Sequence, residues 1–256
     1  MQHLLRLILA LAAGLTMPGA SHAQAINVEQ ENLAVLSLVG DAMTIVSFVP
    51  ATGSHVDTNH HQTLPLPDRS LDNAILRATD QALKKAAAKS SAVLLSSSDP
   101  TLFSDQHRLF DGDRLSLPPD LQKVITDHAA THLLLLTKHR ADAALKFRHS
   151  TGGSGKLEGL GFYLDTTVKV RTSNGRKVGT GLIGPYVYLD LWLVNAKTWA
   201  VVKRRSIKTA ETISSARGSD DTDPWKSFTD AQKTAMLLGS ARRSIAEAVQ
   251  QLLTPD

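Results

Sequence analysis

The sequence predicts an α/β fold: a mixed sheet with helices packed on it, in the order hairpin, helix, strand, helix, strand, β-meander, helix. Three observations carry this. Residues 186–194 alternate with period 2, with Val187, Leu189, Leu191 and Leu193 on one face and Tyr186, Tyr188, Asp190, Trp192 and Val194 on the other. That pattern predicts a strand with one dry face and one aromatic, half-buried face. His132–Lys138 is a continuous apolar run, as in a strand buried on both faces. Amphipathic stretches fall between such runs, and two strand–helix–strand crossovers imply parallel neighbours with right-handed connections.

In chain order, Leu33–Val39 and Met43–Val49 are β-rich runs joined across Gly40-Asp41. Glycine at the first central position predicts a tight type II′ hairpin. Pro50–Arg69 lacks periodicity and reads as a loop. Leu71–Lys89 is predicted helical: Leu71, Ile75, Ala78, Ala82 and Ala86 form a stripe, Ser70 or Asp68 can cap it, and Asp80 precedes Lys84 by one turn. Ala92–Ser96 reads as a short buried strand. After a turn-rich stretch, Pro118-Pro119-Asp120 opens a second helix with Leu121, Val124, Ile125 and His128 on one face.

Residues 139–160 form a basic, glycine-rich connection. In Gly161–Arg171 the set Phe162, Leu164, Thr166, Val168, Val170 alternates with Tyr163, Asp165, Thr167, Lys169, Arg171, predicting a strand covered on one side. Asn174-Gly175 marks a turn, and Gly179, Gly181 and Gly184 suggest a bulge or bend. After Asn195–Thr198 the chain returns through Trp199, Val201 and Val202 into Lys203, Arg204 and Arg205, predicted to lie at an edge or solvated face. The last helix begins near Thr229, with Gln232 completing a capping box. Leu238, Ala241, Ile245, Ala248, Val249 and Leu252 are its apolar stripe, and Pro255 ends it.

The chain has 256 residues, 42% of them apolar. Residues 24–256 are expected to form a single α/β domain with long loops at 50–69, 97–117, 139–160 and 214–228. Residues 1–23 read as a secretory signal peptide: Arg6, the apolar run Leu7–Leu15, a break at Pro18-Gly19, then Ala20-Ser21-His22-Ala23 with small residues before the cut. That run is shorter than the roughly 20 residues needed to span a bilayer. The expected location is the periplasm, with secretion as the alternative, and no transmembrane segment is expected after cleavage. Cysteine is absent, so neither a disulfide framework nor a lipid anchor is expected. A formal net charge of +4 is mild, and no nucleic-acid partner is expected.

His55-x-Asp57-x-x-His60-His61 supplies zinc-type ligands. The candidate metal set is therefore His55, Asp57, His60 and His61, against the competing reading of a solvated polar loop. Gly152-Gly153-Ser154-Gly155-Lys156 satisfies neither phosphate-loop nor nucleophile-elbow spacing: Ser150, Leu157 and Lys156 occupy positions that those motifs reserve for other residues. It reads as a connector. Asp220, Asp221 and Asp223 lack the spacing of a calcium loop. No catalytic set can be assembled and no cofactor is expected. Candidate contact residues are Ser54, His55, Asp57 and Asn59, then Tyr163 and Asp165, then Trp225, the two aromatics beside glycine or proline reading either as exposed anchors or equally as core.

At Ala130-Thr131-His132-Leu133-Leu134 and across Leu191–Val202, the chain resembles the TolB N-terminal domain, the curli secretion protein CsgG and the activators of penicillin-binding proteins. The order of elements is similar over most of the chain. The resemblance implies a periplasmic α/β fold and an envelope compartment, and it carries no catalytic motif. This chain departs in lacking a lipobox cysteine and propeller repeats, and in having an added region over 152–184. The resulting expectation is a non-catalytic accessory or interaction protein of the bacterial cell envelope, meeting an envelope protein or a small ligand. The alternative is a metal-dependent hydrolase or small-ligand-binding protein using the His55–His61 loop.

Overall fold

The computed structural model describes residues 32–50, 57–87, 90–147, 149–171, 178–214 and 223–254. In order these form β1 (Asn32–Ser37), β2 (Ala42–Ser47), β3 (His60–Pro65), α1 (Ser70–Ala86), β4 (Ser91–Leu95) and the short α2 (Thr101–Ser104). A 3-10 turn (Gln106–Leu109), β5 (Phe110–Asp111), β6 (Arg114–Leu115), α3 (Pro119–Asp127) and β7 (His132–Lys138) follow. Then come β8 (Arg140–Asp142), β9 (Leu145–Lys146), β10 (Thr151–Gly152), β11 (Lys156–Arg171), β12 (Val178–Asn195), β13 (Val201–Ala210), β14 (Ile213–Ser214) and α4 (Asp230–Leu253).

The main sheet is mixed and runs β3-β2-β11-β12-β7-β1-β4. β12 is its spine. One edge of β12 pairs with β13 from Tyr186 opposite Ala210 to Val194 opposite Val201. Its other edge pairs first with β11, ending at Tyr188 opposite Gly159, and then with β7, starting at Leu189 opposite Lys138. Two half-sheets therefore meet end to end along one strand.

The predicted hairpin of the first two strands does not form. β1 lies parallel between β4 and β7, with Leu33 opposite both Ala92 and His132. β2 crosses away to pair antiparallel with β3 and parallel with β11. β1 is buried from Leu33 to Ser37, and a strand apolar on both faces is best covered at the centre of a parallel set. Gly40, at φ 78, turns the chain away from β1 rather than back along it.

Further expectations change. Residues 60–65, expected to be loop, form the edge strand β3, whose mostly exposed side chains show no dry face for periodicity to register. β4 is also an edge strand and is only partly buried. Helix α1 starts at Ser70, so Arg69 is the N-cap residue and neither Ser70 nor Asp68 caps it; Asp68 and Arg69 both sit in the left-handed region. The aromatic face of β12 is half-buried only at Trp192; Tyr186 and Tyr188 are fully buried. Helices α1 and α4 cover the face bearing Val187, Leu189, Leu191 and Leu193. The other face is covered by α3 and residues 102–117 at one end, and by residues around Leu145 and Leu157 at the other.

Other expectations hold. β7 is buried on both faces along Leu133–Leu136. β13 is an edge strand with alternating exposed residues. The Thr229–Gln232 capping box forms in both directions. The glycine region bends as expected: the register of β11 and β12 shifts between Asp165 and Lys169, opposite Gly181 at φ 93. The predicted turn at Asn174-Gly175 lies outside the described residues. Among the described residues, no helix is long and apolar enough to cross a membrane.

Candidate functional site

Asp57 stands just before β3 and accepts hydrogen bonds from the backbone amides of Lys156, at 2.8 Å, and Asn59, at 3.1 Å. His61 Nε2 lies 3.2 Å from Oδ2, the same carboxylate oxygen that accepts from Lys156. Asn59 donates through Nδ2 to the Ser154 carbonyl at 2.7 Å and accepts from the Val49 amide at 3.2 Å. The Ser154 amide in turn donates to the Tyr163 hydroxyl at 3.3 Å. Residues 154–156 thus close over the approach to β3. The connector Gly152–Lys156 has a definite job here, because a Cβ on Gly155 would collide with Asn59 Nδ2 and Asp57 Oδ1, and its φ is 79.

Burial opposes ionisation of Asp57, but the Lys156 and Asn59 amides and the neighbouring His61 outweigh it and hold the carboxyl below its usual range. The Tyr163 hydroxyl is pushed upward, chiefly by burial.

Beside this clamp lies a groove of about 510 Å³. Asp57, Lys138, Arg140, Lys156 and Glu158 supply its charges, with His61 beside them, over a floor that includes Tyr186. Arg140 reaches Glu158 at 3.7 Å and Lys156 Nζ reaches Asp142 at 2.6 Å. Tyr186 is fixed beneath them, donating to the Thr44 carbonyl at 3.1 Å, and burial raises its phenol far above the ordinary value. Sequence reasoning missed Lys138, Arg140, Glu158 and Tyr186. The one available signal was the basic character of residues 139–160.

The predicted site residues separate into groups. Asp57, Asn59 and Tyr163 come together, as above. Ser54 and His55 lie outside the described residues. His60 and His61 are successive on a strand, so their side chains leave opposite faces, and they do not converge on Asp57 as a shared ligand set. Among the described residues, no group of three His, Cys, Asp or Glu could hold a metal ion. Tyr163 is not an exposed anchor: it is 2% exposed. Asp165 accepts from the Thr167 amide and hydroxyl, each at 2.7 Å, as a local turn cap. Trp225 is half-buried on the opposite face of the sheet from Tyr163, edge-on to Phe162 with centroids 5.6 Å apart.

A second polar cluster also escaped the sequence. Asp190, 4% exposed, accepts from Arg204 at 3.2 and 2.7 Å and from Ser206, and faces His139 Nδ1 at 3.1 Å. The Arg204 guanidinium lies over the Trp192 ring at 4.2 Å. Ser206 bonds to the aspartate rather than to the histidine, so this is not a nucleophilic triad.

The described residues thus define a mixed-sheet α/β protein with a charged groove above Tyr186. No protein-family model and no curated protein matches the chain. Among solved structures, it is similar to the PelC dodecamer protein from Paraburkholderia phytofirmans, at 11% identity over 91% of this chain and 93% of that one, with TM-score 0.36. It is also similar to a neuraminyllactose-binding hemagglutinin homolog from Helicobacter pylori, at 10% identity over 93% and 89%, with TM-score 0.38. The hypothetical protein CT253 from Chlamydia trachomatis matches at 10% identity over 88% and 98%, with TM-score 0.35. No residue role is assigned from these likenesses.

Proposed function

We propose that this chain is a non-catalytic accessory protein of the bacterial cell envelope that recognises a partner protein through the charged groove beside β3. The groove itself carries the reading. Lys138, Arg140 and Lys156 face Asp57 and Glu158 around a recess of about 510 Å³, a mixed-charge surface of the kind that confers specificity and orientation on an encounter. Asp57 serves as a structural acceptor there: two backbone amides occupy its carboxylate, and a carboxyl held below its usual range is a poor general base near neutral pH. The export signal read at residues 1–23 and the resemblance to envelope proteins support the compartment.

The test is in-cell crosslinking of a tagged protein, comparing wild type with Arg140→Glu/Glu158→Lys. A specific partner that the wild type recovers and the variant loses supports the reading. Identical recovery by both, or no specific partner for the folded wild type, overturns it.

A second reading rests on the 3.2 Å approach of His61 to Asp57, two residues of zinc-ligand type. Metal analysis of protein purified without chelators or affinity histidines tests it. Stoichiometric zinc that is lost in His61→Ala would replace the interaction reading with a metal site, and a ratio near zero would end it.

A further inference from the structure

On the other face of the sheet, the same β2–β3 hairpin borders a second groove, of about 490 Å³. Nine of its thirteen lining residues are apolar, and its volume lies within the roughly 300–1,000 Å³ typical of small-molecule sites. Met43, Leu64 and Leu66 form one wall, Leu237 and Leu238 of α4 the other, with Phe162 on the floor.

Lys233 stands in this groove with only 8% of its side chain exposed. Its position is unfavourable twice over. An ammonium is costly to bury, and one turn from the N-cap Thr229 it meets the positive end of a 24-residue helix. Its counter-ion Asp230, at 2.8 Å, also lines the groove, but it is 97% exposed, so solvent screens the pair and a ligand carboxylate can compete for the ammonium. The Trp225 ring, 3.8 Å from Nζ, holds the ammonium by cation–π attraction. The result is a nearly buried ammonium, held by one aromatic ring and one exposed carboxylate, at the rim of a mainly apolar groove.

We infer that this groove binds a single-chain amphiphile with an anionic head, of the fatty-acid kind. The tail lies between Met43 and Leu238, and the carboxylate meets the Lys233 ammonium. Charge complementarity selects the head, and the apolar lining selects the tail. This site is separate from the charged groove and does not depend on partner recognition there.

The experiment is calorimetric titration of the full chain with decanoate and with decyltrimethylammonium, both below their micelle concentrations. These probes share a tail length and differ in the sign of the head. The expected result is saturable one-to-one decanoate binding, about tenfold tighter than the cation, as a charge-assisted contact supplies. Lys233→Met abolishes the preference, whereas Arg140→Glu leaves it unchanged. Met43→Trp, which narrows the groove and keeps the lysine, weakens both probes. Absence of saturable binding to the folded wild type overturns the inference. So does equal affinity for the two heads, or a preference that survives in Lys233→Met. Should Lys233→Met fail to fold, Met43→Trp decides: unchanged decanoate affinity there also overturns the inference.

Discussion

The backbone amide of Lys156 donates to the Asp57 carboxylate at 2.8 Å across 99 residues of chain. This bond joins the approach of the edge strand β3 to the start of β11. It also places the two residues on one rim of the charged groove. One hydrogen bond therefore serves both the loop's attachment and the placement of two groove residues.

Asp57→Ala is expected to lower unfolding stability by about 1–3 kcal/mol, the cost of leaving amides at a charged acceptor without their partner. Urea titration of wild type and variant measures it. The folded-state carboxyl is held below the unfolded value of 3.8. Its contribution is therefore complete above that value and is lost as pH falls through the folded one. The stability difference between wild type and Asp57→Asn should shrink below about pH 4. A difference independent of pH would refute the ionised clamp.

Gly155→Ala should open the same clamp from the other side. A methyl group there strikes Asp57 and Asn59, and the left-handed backbone alone costs a non-glycine residue about 1–2 kcal/mol. Amide exchange at Lys156 and Asn59 should accelerate sharply while exchange in β7 stays slow. Unchanged protection at both amides would show that the loop adapts without loss.

Asp72 presents the opposite electrostatics. It is 2% exposed, accepts from the Ser37 hydroxyl at 2.5 Å and the Gly40 amide at 3.3 Å, and burial raises its carboxyl above the unfolded value of 3.8. The folded state then binds more protons between the two values, so stability from this group falls as pH rises through that window. Asp72→Asn keeps an acceptor without the charge. Its Tm relative to wild type should rise between pH 4 and pH 7, and a relative Tm that falls over that range would contradict the argument.

Asp190 anchors the second polar cluster. Asp190→Ala is expected to cost about 3–5 kcal/mol, because it leaves the partners of a buried charge unmatched. His139 Nε2 is already a buried atom without a partner among the described residues, and the substitution would leave Nδ1 without its aspartate as well. Arg204→Ala should cost less, since Arg204 is 45% exposed and solvent screens it. Chemical denaturation of both variants ranks them, and equal losses would count against the aspartate as the organising group.

The sequence by itself determined the features that depend on neighbours within a turn or on strict alternation. The Thr229–Gln232 box, the apolar stripe of α4, that of α1 from Leu71 to Ala82 (Ala86 is exposed), the double burial of β7 and the two-faced alternation of β12 all follow from spacings of two to four residues. Only the tertiary structure decided who pairs with whom. Gly40-Asp41 is a sound local turn signal, yet β1 gains more from β4 and β7 than from β2, because both its faces need cover. The exposed β3 is held by backbone pairing that side-chain periodicity cannot reveal. Tyr163 and Trp225 read alike in sequence, each an aromatic near glycine or proline, but the sheet carries them into different cores. Both grooves are assembled from segments far apart in the chain. Their residues meet because non-local strand pairing brings them together, and that energy belongs to the folded whole rather than to any one stretch of it.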